Sequence, residues 1–345
     1  MMKLIDHTTL NEWVNGLIAL HNVYGVQAKE DRFAFDRLTK ADDLRLDYDI
    51  TLLPPKKYFH PQHEVLLTFD RETMDFQSVF EDEPFVLLGV HPYDMAAISQ
   101  LDKVFSKDHS DQHYLSRREA ATIIVSDVQK ISADAFSGCM GHATVEGQSG
   151  HDLLITLLED GRYLLDAATE KGAKLMTSLA EATTADANAL QARERVWKHN
   201  RKQLQQHKLK MAPSELPELL AKSYDHPVWE EKAALCYSCG SCNLVCPTCY
   251  CFDVRDELNW DLKTGQRVRV WDGCMLREFA SVAGGHNFRS QRAARYRHRY
   301  LRKGKYTWEQ YGEISCVGCG RCITACTANI ANPVEIFNRL LDDPQ

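Results

Sequence analysis

The sequence predicts an α+β fold in three parts: an N-terminal mixed α/β domain, a helical connector and a small cysteine-rich domain. Short apolar runs alternate with helical patterns up to about residue 180. Polar, helix-favouring residues then fill 181–234, and eleven of the twelve cysteines lie between Cys236 and Cys326. We therefore predict domains at residues 1–180 and 235–345, joined by the connector.

The composition excludes some classes of protein. The chain has 345 residues and a formal net charge of −7, which argues against a dedicated nucleic-acid binder. Its N-terminus has no signal-peptide pattern, and no run approaches the roughly 18 apolar residues that span a bilayer. We therefore expect a cytoplasmic protein without a membrane span, whose reducing surroundings keep thiolates available for metal.

The N-terminal part predicts one helix followed by several strands. Leu10–Leu20 carries apolar residues at helical spacing. Three apolar runs are predicted as short buried strands: Glu64–Phe69, Phe85–Val90 and Thr122–Val125. After the second run, Pro92 ends the strand and Asp94 is predicted to cap a helix. Residues 159–161 (EDG) predict a hairpin turn between two further strands.

The connector is predicted to be helical. It contains a basic segment, Lys198–Lys210, and Pro213 and Pro217 follow this segment. Charge runs are usually solvated helix faces, so we interpret the segment as such a face rather than as a binding patch.

Two cysteine runs dominate the C-terminal domain. They read CYSCGSCNLVCP from Cys236 to Pro247 and CVGCGRCITAC from Cys316 to Cys326. Both have the C-x2-C-x2-C-x3-C spacing of two-cluster ferredoxins, in which the fourth cysteine of each run binds the cluster of the other run. The sequence therefore predicts a ferredoxin-like domain with two 4Fe-4S clusters.

This crossing assigns four thiolate ligands to each cluster. The first set is Cys236, Cys239, Cys242 and Cys326, and the second set is Cys316, Cys319, Cys322 and Cys246. Gly240 and Gly320 stand between the second and third cysteines of each run, where a residue without Cβ permits a tight turn. Zinc is the alternative metal, but two matched runs of four cysteines favour iron and sulfide. Thr327 replaces the proline that follows the first run, which leaves the assignment unchanged.

An insert at 248–314 separates the two runs and holds three further cysteines, Cys249, Cys251 and Cys274. Together with Cys139 they would complete a third set of four, for a third iron-sulfur cluster or another metal, and His286 is a further candidate ligand. The alternative is that they are buried free cysteines, which behave as small hydrophobes and need no function. The spacing leaves both interpretations open.

A basic run, Arg289–Lys305, contains eight Lys or Arg residues and no acid. It could bind nucleic acid, dock an acidic partner, or offset the negative charge of thiolate-ligated clusters and so raise their reduction potentials. The acidic total charge and the neighbouring cysteine runs favour the third interpretation.

With these residues in view, the chain resembles the 4Fe-4S dicluster family of the sulfhydrogenase beta subunit, to which an iron-sulfur component of anaerobic sulfite reductase also belongs. The resemblance rests on CPTCYCFDVRDE (246–257), WDGCMLREF (271–279), AGGHNFR (283–289) and CVGCGRC (316–322), and extends to LLGVHPYDMAAISQLDKVF (87–105). The chain departs from the family pattern at Tyr93, Ala135 and Ser137, where relatives often carry cysteine.

The resemblance implies an iron-sulfur electron-transfer subunit of an oxidoreductase complex, and not its catalytic subunit. The implied partners are a flavin subunit that handles NAD(P)H and a catalytic partner, either a nickel-iron hydrogenase or the subunits of a sulfite reductase. Two other hypotheses are a sulfur-compound reductase with its own catalytic site in the insert, and a redox regulator that binds nucleic acid through the basic run. No dinucleotide or P-loop fingerprint occurs in the sequence.

Overall fold

The computed structural model describes residues 2–179 and 182–343. Its strands are β1 Met2–Ile5, β2 Asn22–Lys29, β3 Arg32–Arg37, β4 His63–Asp70, β5 Asp75–Ser78, β6 Phe85–Val90, β7 Ala121–Ser126, β8 Leu153–Leu157, β9 Tyr163–Ala167, β10 Thr183–Thr184, β11 Phe252–Leu258 and β12 Thr264–Trp271. They form an eight-stranded and a four-stranded sheet.

The helices follow the strands on both sides of the larger sheet and then build the C-terminal part. They are α1 His7–Leu20, α2 Pro92–Ser106, α3 Gln112–Ala120, α4 Glu170–Leu175, α5 Ala187–Gln203, α6 Leu216–Lys222, α7 Val228–Leu235, α8 Ser241–Leu244, α9 Arg292–Leu301, α10 Thr307–Tyr311, α11 Arg321–Thr324 and α12 Pro333–Asp342. A π-helical segment, Arg302–Tyr306, joins α9 to α10. Within the described ranges, no helix is both long and apolar enough to cross a membrane.

The eight-stranded sheet has the order β10-β1-β9-β8-β7-β6-β2-β3. The four central strands β8, β7, β6 and β2 are parallel to one another. The pairs outside them, which are β2 with β3, β8 with β9, β9 with β1 and β1 with β10, are antiparallel. Alternate residues of β6 face opposite layers: Leu88 packs in a core with Trp13 of α1, and Leu87 packs in a core with Ile98 of α2. Both faces of this strand are therefore covered, which explains its continuous apolar sequence. The predicted strands at 85–90 and 122–125 and the hairpin at 159–161 are confirmed.

The turn from β6 into α2 corrects one prediction. Pro92 occupies the first helical position, where its fixed φ is favourable, and His91 is the N-cap residue. The prediction that Asp94 caps the helix is wrong. Its carboxylate lies in the first turn and instead accepts two hydrogen bonds from Arg321, at 2.6 and 2.7 Å.

The four-stranded sheet joins distant parts of the sequence in the order β11-β12-β4-β5. The sequence predicts a buried β4, but most of its residues are partly exposed and Glu64 is its buried residue. Arg269 of β12 donates from Nε to Glu64 at 2.8 Å, and Arg117 of α3 also pairs with this carboxylate. A buried ion network therefore connects the insert to the N-terminal half, because each buried charge needs a partner.

A separate apolar core supports the cysteine runs. Trp229 of α7 packs against Tyr300 of α9, and the ring of Tyr300 meets Phe337 of α12 edge-on at 5.9 Å between centroids. Cys236 is buried in this core, and Cys316 and other cysteines of the two runs pack against it. The core thus fixes the helices between which both runs lie.

Candidate metal centres

Both cysteine runs fold in the same way, as an extended loop followed by one helical turn. Gly240 and Gly320 have φ angles of 77° and 83°, and they immediately precede α8 and α11. A left-handed φ of this kind is costly for a residue with a Cβ atom, which explains glycine at both positions. Each turn carries the third cysteine of its run, Cys242 or Cys322.

A first cavity, with about 400 Å³ free of protein atoms, lies beside the first run. Cysteines from both runs line it: Cys236, Cys239, Cys242 and Cys326. Met275 and Tyr296 contribute to its wall. Four sulfur donors from two separate segments therefore surround one space.

A second cavity, with about 430 Å³ free of protein atoms, lies beside the second run. Its cysteines are Cys246, Cys316, Cys319 and Cys322. Thr248, Arg299 and Lys303 also line it. In each cavity, the three leading cysteines of one run thus meet the last cysteine of the other.

These two sets of donors fit iron-sulfur cubes. A cube of four irons takes one thiolate at each iron, so its ligands surround a volume rather than a single atom. Within residues 2–179 and 182–343, no three His, Cys, Asp or Glu side chains lie close enough to share one metal ion. All twelve cysteines of the chain are free thiols.

The first cavity reaches the protein surface. Cys239 is exposed, and the neighbouring Tyr237 has 74% of its surface accessible. The hydroxyl of Ser241 lies 3.3 Å from the sulfur of Cys239, and this hydrogen bond lowers the pKa of the thiol. A ligand in this cavity would therefore lie close to solvent.

The cysteines of the second cavity are more buried as a group than those of the first, because none of them is exposed. Cys319 and Cys322 are buried, and burial raises the pKa of Cys316 to about 12. The thiol of Cys316 therefore keeps its proton, which metal binding would have to release.

Residues of the N-terminal half bind a buried arginine of the second run. The guanidinium of Arg321 pairs with Asp94 and also donates to the carbonyl of Thr51 at 3.0 Å. All three residues are buried. The corresponding residue of the first run is Ser241, whose side chain makes no such link to another part of residues 2–179 and 182–343.

Positive charge is buried beside the second cavity. Nζ of Lys303 donates to the hydroxyl of Thr248 at 2.6 Å, and that hydroxyl lies 3.4 Å from the sulfur of Cys246. Burial opposes the charge of Lys303, but the negative charge of Cys246 and Cys249 as thiolates raises its pKa above the usual value. Buried cations of this kind offset the negative charge that thiolates bring.

Comparisons with known proteins agree with this arrangement. Residues 235–330 match a family described as 4Fe-4S dicluster domain. Over 324 residues the chain is 32% identical to sulfhydrogenase 2 subunit beta of Pyrococcus furiosus, with 92% of each protein covered. The chain belongs to the sulfhydrogenase beta subunit family. A dicluster domain implies two 4Fe-4S clusters, the number that the two cysteine runs predict. No solved structure matches the chain significantly.

In this member of the family, two of the three cysteines of the insert, Cys249 and Cys274, lie beside Asn243. The side-chain amide of Asn243 lies 3.5 Å from the sulfur of Cys274 and 3.7 Å from that of Cys249. Burial, with a smaller contribution from the charge of Cys274, raises the pKa of Cys251 to about 11. Nζ of Lys56 donates to the carbonyl of Cys249 at 2.6 Å. The insert therefore gathers three thiols beside a buried lysine.

The other two candidate ligands have different neighbours. The thiol of Cys139 donates to the carbonyl of His207 at 3.5 Å. His286 is exposed, and its ring meets Phe288 edge-on at 4.7 Å between centroids. Neither contact brings Cys139 or His286 to the cysteines beside Asn243.

The positions at which the chain departs from its family adjoin the second run. Tyr93 and Ala135 are buried in one group with Cys319. The backbone of Ser137 lies so close to Gly318 that a Cβ atom on this glycine would come within 2.6 Å of it. The ring of Tyr93 thus lies in the same buried group as the candidate ligand Cys319.

Sequence patterns alone missed several residues of the site. Lys56 and Asn243 were not singled out, because single polar residues at large sequence separation from the cysteines give no periodic signal. Arg299 and Lys303 lay within the basic run but were not distinguished from its other members. Arg295, Arg299 and Lys303 follow one another at intervals of four residues, and this helical spacing could have shown that they share one face.

Proposed function

We propose that the chain is the iron-sulfur electron-transfer subunit of an oxidoreductase complex, with a flavin subunit that handles NAD(P)H on one side and a nickel-iron hydrogenase on the other. The eight cysteines of the two sets would hold two 4Fe-4S clusters, which accept and release electrons one at a time. The matching relative is named as a sulfhydrogenase subunit, which supports a hydrogenase as the catalytic partner. A reducing cytoplasm suits its twelve free thiols.

The observation that carries this proposal is the pair of cysteine-lined cavities, of which only the first contains an exposed cysteine. The first reaches the surface at Cys239, where a partner protein can come close. The second contains no exposed cysteine, and its Cys319 and Cys322 are buried. One outer and one inner redox centre are what a relay subunit needs, because electrons must enter or leave at a surface.

Metal analysis of the full chain tests the proposal. Protein purified without oxygen should contain about eight irons and a similar amount of acid-labile sulfide per chain. It should be reduced by dithionite and reoxidised by an added electron acceptor. Fewer irons in material that takes up no more on reconstitution, or zinc in their place, would contradict the two-cluster assignment.

A second candidate function is a component of a sulfite or sulfur-compound reductase, with chemistry in the insert at 248–314. The group of Cys249, Cys251 and Cys274 near Lys56 favours it, because neighbouring thiols can each bind one iron of a further cluster or react with a sulfur compound. A third iron-sulfur cluster at these cysteines belongs to the same proposal.

The two candidates differ in what the isolated chain can do. With reduced methyl viologen as donor and sulfite or polysulfide as acceptor, the relay function predicts no turnover. Turnover that is abolished by Cys274→Ser and retained by Cys139→Ser would favour the reductase. About twelve irons per chain, falling to about eight in Cys274→Ser, would indicate the third cluster.

A further inference from the structure

Three basic residues of the run Arg289–Lys305 share one buried face. Arg295, Arg299 and Lys303 are four residues apart, and they have 4%, 2% and 6% of their surface exposed. A charged group in the interior is costly unless hydrogen bonds and an opposite charge compensate it. The hydrogen-bond partners of each residue therefore indicate which groups compensate its buried charge.

Two of the three residues have partners within the protein. The guanidinium of Arg295 donates to the hydroxyl of Ser238 and to the carbonyls of Met275, Arg289 and Ser290. The ammonium of Lys303 donates to the hydroxyls of Thr248 and Ser315, at 2.6 and 3.5 Å. Both side chains thus donate their hydrogen bonds to neutral oxygen atoms.

Arg299 differs from both neighbours on this face. Its Nε and Nη1 are buried and have no hydrogen-bond acceptor. Throughout the part of the chain that the structure describes, no carboxylate lies within ion-pair distance of it. The most buried cation of the face is therefore the one that no protein oxygen compensates.

The surroundings of Arg299 belong to both cysteine sets. Its side chain lines the second cavity, together with Cys246 and Cys322. It also lies within electrostatic reach of Cys242, which lines the first cavity. The unpartnered N–H groups thus lie where two sets of thiolates concentrate negative charge.

We infer that Arg299 is the common counter-ion of the two clusters and that it donates hydrogen bonds to the sulfur atoms of the second cluster. Both effects raise reduction potentials, so Arg299 raises the potential of each cluster. The inference rests on the proposed function, since it requires that both cysteine sets hold clusters. Arg299 is a positioning and tuning residue in this account and ligates no metal.

The direction of the effect follows from charge. Each reduction adds one electron, and hence one negative charge, to a cluster. A nearby guanidinium stabilises the reduced form more than the oxidised form, and the low dielectric of the interior strengthens this attraction. The planar guanidinium can also direct several N–H groups at sulfur, which an ammonium group cannot reproduce. Charge and geometry therefore make separate contributions, which two variants can separate.

An EPR-monitored redox titration of the full chain loaded with clusters tests the inference. In Arg299→Met, the ratio of reduced to oxidised second cluster at a fixed ambient potential should fall about tenfold, or about 59 mV for a one-electron couple. The first cluster should shift in the same direction by less. The matched control is Arg297→Met on the same helix, because Arg297 contacts the ring and carbonyl of Tyr224 and should leave both potentials unchanged.

Iron and sulfide analysis of each sample separates the possible failures. Wild-type protein with fewer than about eight irons contradicts the proposed function itself. Fully loaded Arg299→Met with both potentials of the wild type overturns only the inference about Arg299. A shift of equal size in Arg297→Met overturns it too, since the effect would then be general to the helix.

Arg299→Lys keeps the variant series informative if the methionine variant does not fold or take up iron. It retains the charge but loses the planar arrangement of donors, so we expect it to take up about eight irons with a smaller fall in the potential of the second cluster. A wild-type potential in a fully loaded lysine variant would remove the role as a directed donor and overturn the inference.

Discussion

The two cysteine cavities have one ligand pattern and two different environments. In the first run, Cys239 is exposed and is followed after one glycine by Ser241, whose hydroxyl contacts it. At the matching positions of the second run, Cys319 is buried and Arg321 pairs with Asp94 of the N-terminal half. The cysteine spacing therefore specifies the donors, while the residues between them determine where each cavity lies.

This difference gives the N-terminal half a role in the site. Its segment around Asp134 and Ser137 packs against the glycines of the second run, and its helix α2 supplies Asp94. The cysteines of the second run are thereby more buried, and Cys239 of the first run is left within reach of a partner protein. An electron-transfer protein can use two such cavities as a more buried and a more exposed redox centre.

Replacement of a crossing ligand should have the largest effect on this comparison. Cys246→Ser should empty the second cavity although Cys246 lies in the first run, and Cys326→Ser should empty the first. Each variant should retain about four of about eight irons, because each cube needs its four thiolates. Iron analysis with EPR of the reduced protein measures this, and Cys139→Ser is the control that should keep all of its iron. Identical EPR signals in the two ligand variants would contradict the crossing.

Loss of the buried pair at the second run should have the next largest effect. Asp94→Asn leaves the guanidinium of Arg321 buried without its counter-charge, so the free energy of unfolding should fall by about 3–5 kcal/mol. Denaturant unfolding measures the change. The matched control is Asp47→Asn, which breaks an exposed pair with Arg45 and should cost less than about 1 kcal/mol. Equal losses in both variants would show that Asp94 does not anchor the run.

The two glycines allow a finer comparison of the runs. Gly240→Ala and Gly320→Ala should each cost about 1–2 kcal/mol for a Cβ atom in the left-handed region. Gly320→Ala should cost more than that, because its Cβ would lie 2.5 Å from the backbone oxygen of Asp134. In Gly240→Ala the contact is with the end of the Leu276 side chain, which can move. Unfolding free energies that rank the variants in the opposite order would contradict the close packing of the second run.

The larger sheet could be predicted from the sequence, and the smaller one only in part. Strands β6 and β7 are continuous apolar runs because helices cover both faces, and such runs are a strong local signal. In contrast, every residue of β5 is exposed, and six of the seven residues of β11 are exposed. No apolar pattern marks these strands, and β4 pairs with β12 across almost two hundred residues. Their pairing depends on distant contacts that local periodicity does not encode.

The candidate ligands could be proposed from spacing alone, because three cysteines at i, i+3 and i+6 wrap one side of a cube. The residues that distinguish the two cavities could not be found in this way. Asp94 was predicted to be a helix cap, because its position after Pro92 gave no indication of a partner more than two hundred residues away. Arg299 required the structure, since its importance rests on the acceptors that it lacks.

The measurement that tests the central comparison most directly is EPR relaxation of the reduced wild-type chain with a water-soluble paramagnetic ion complex. One of two cluster signals should relax faster when the complex is added, and this signal should be the one that Cys326→Ser abolishes. The signal that Cys246→Ser abolishes should be affected less, because none of the four cysteines of its cavity is exposed. Equal enhancement of both signals, or enhancement of the one lost in Cys246→Ser, would contradict an exposed first and a buried second cluster.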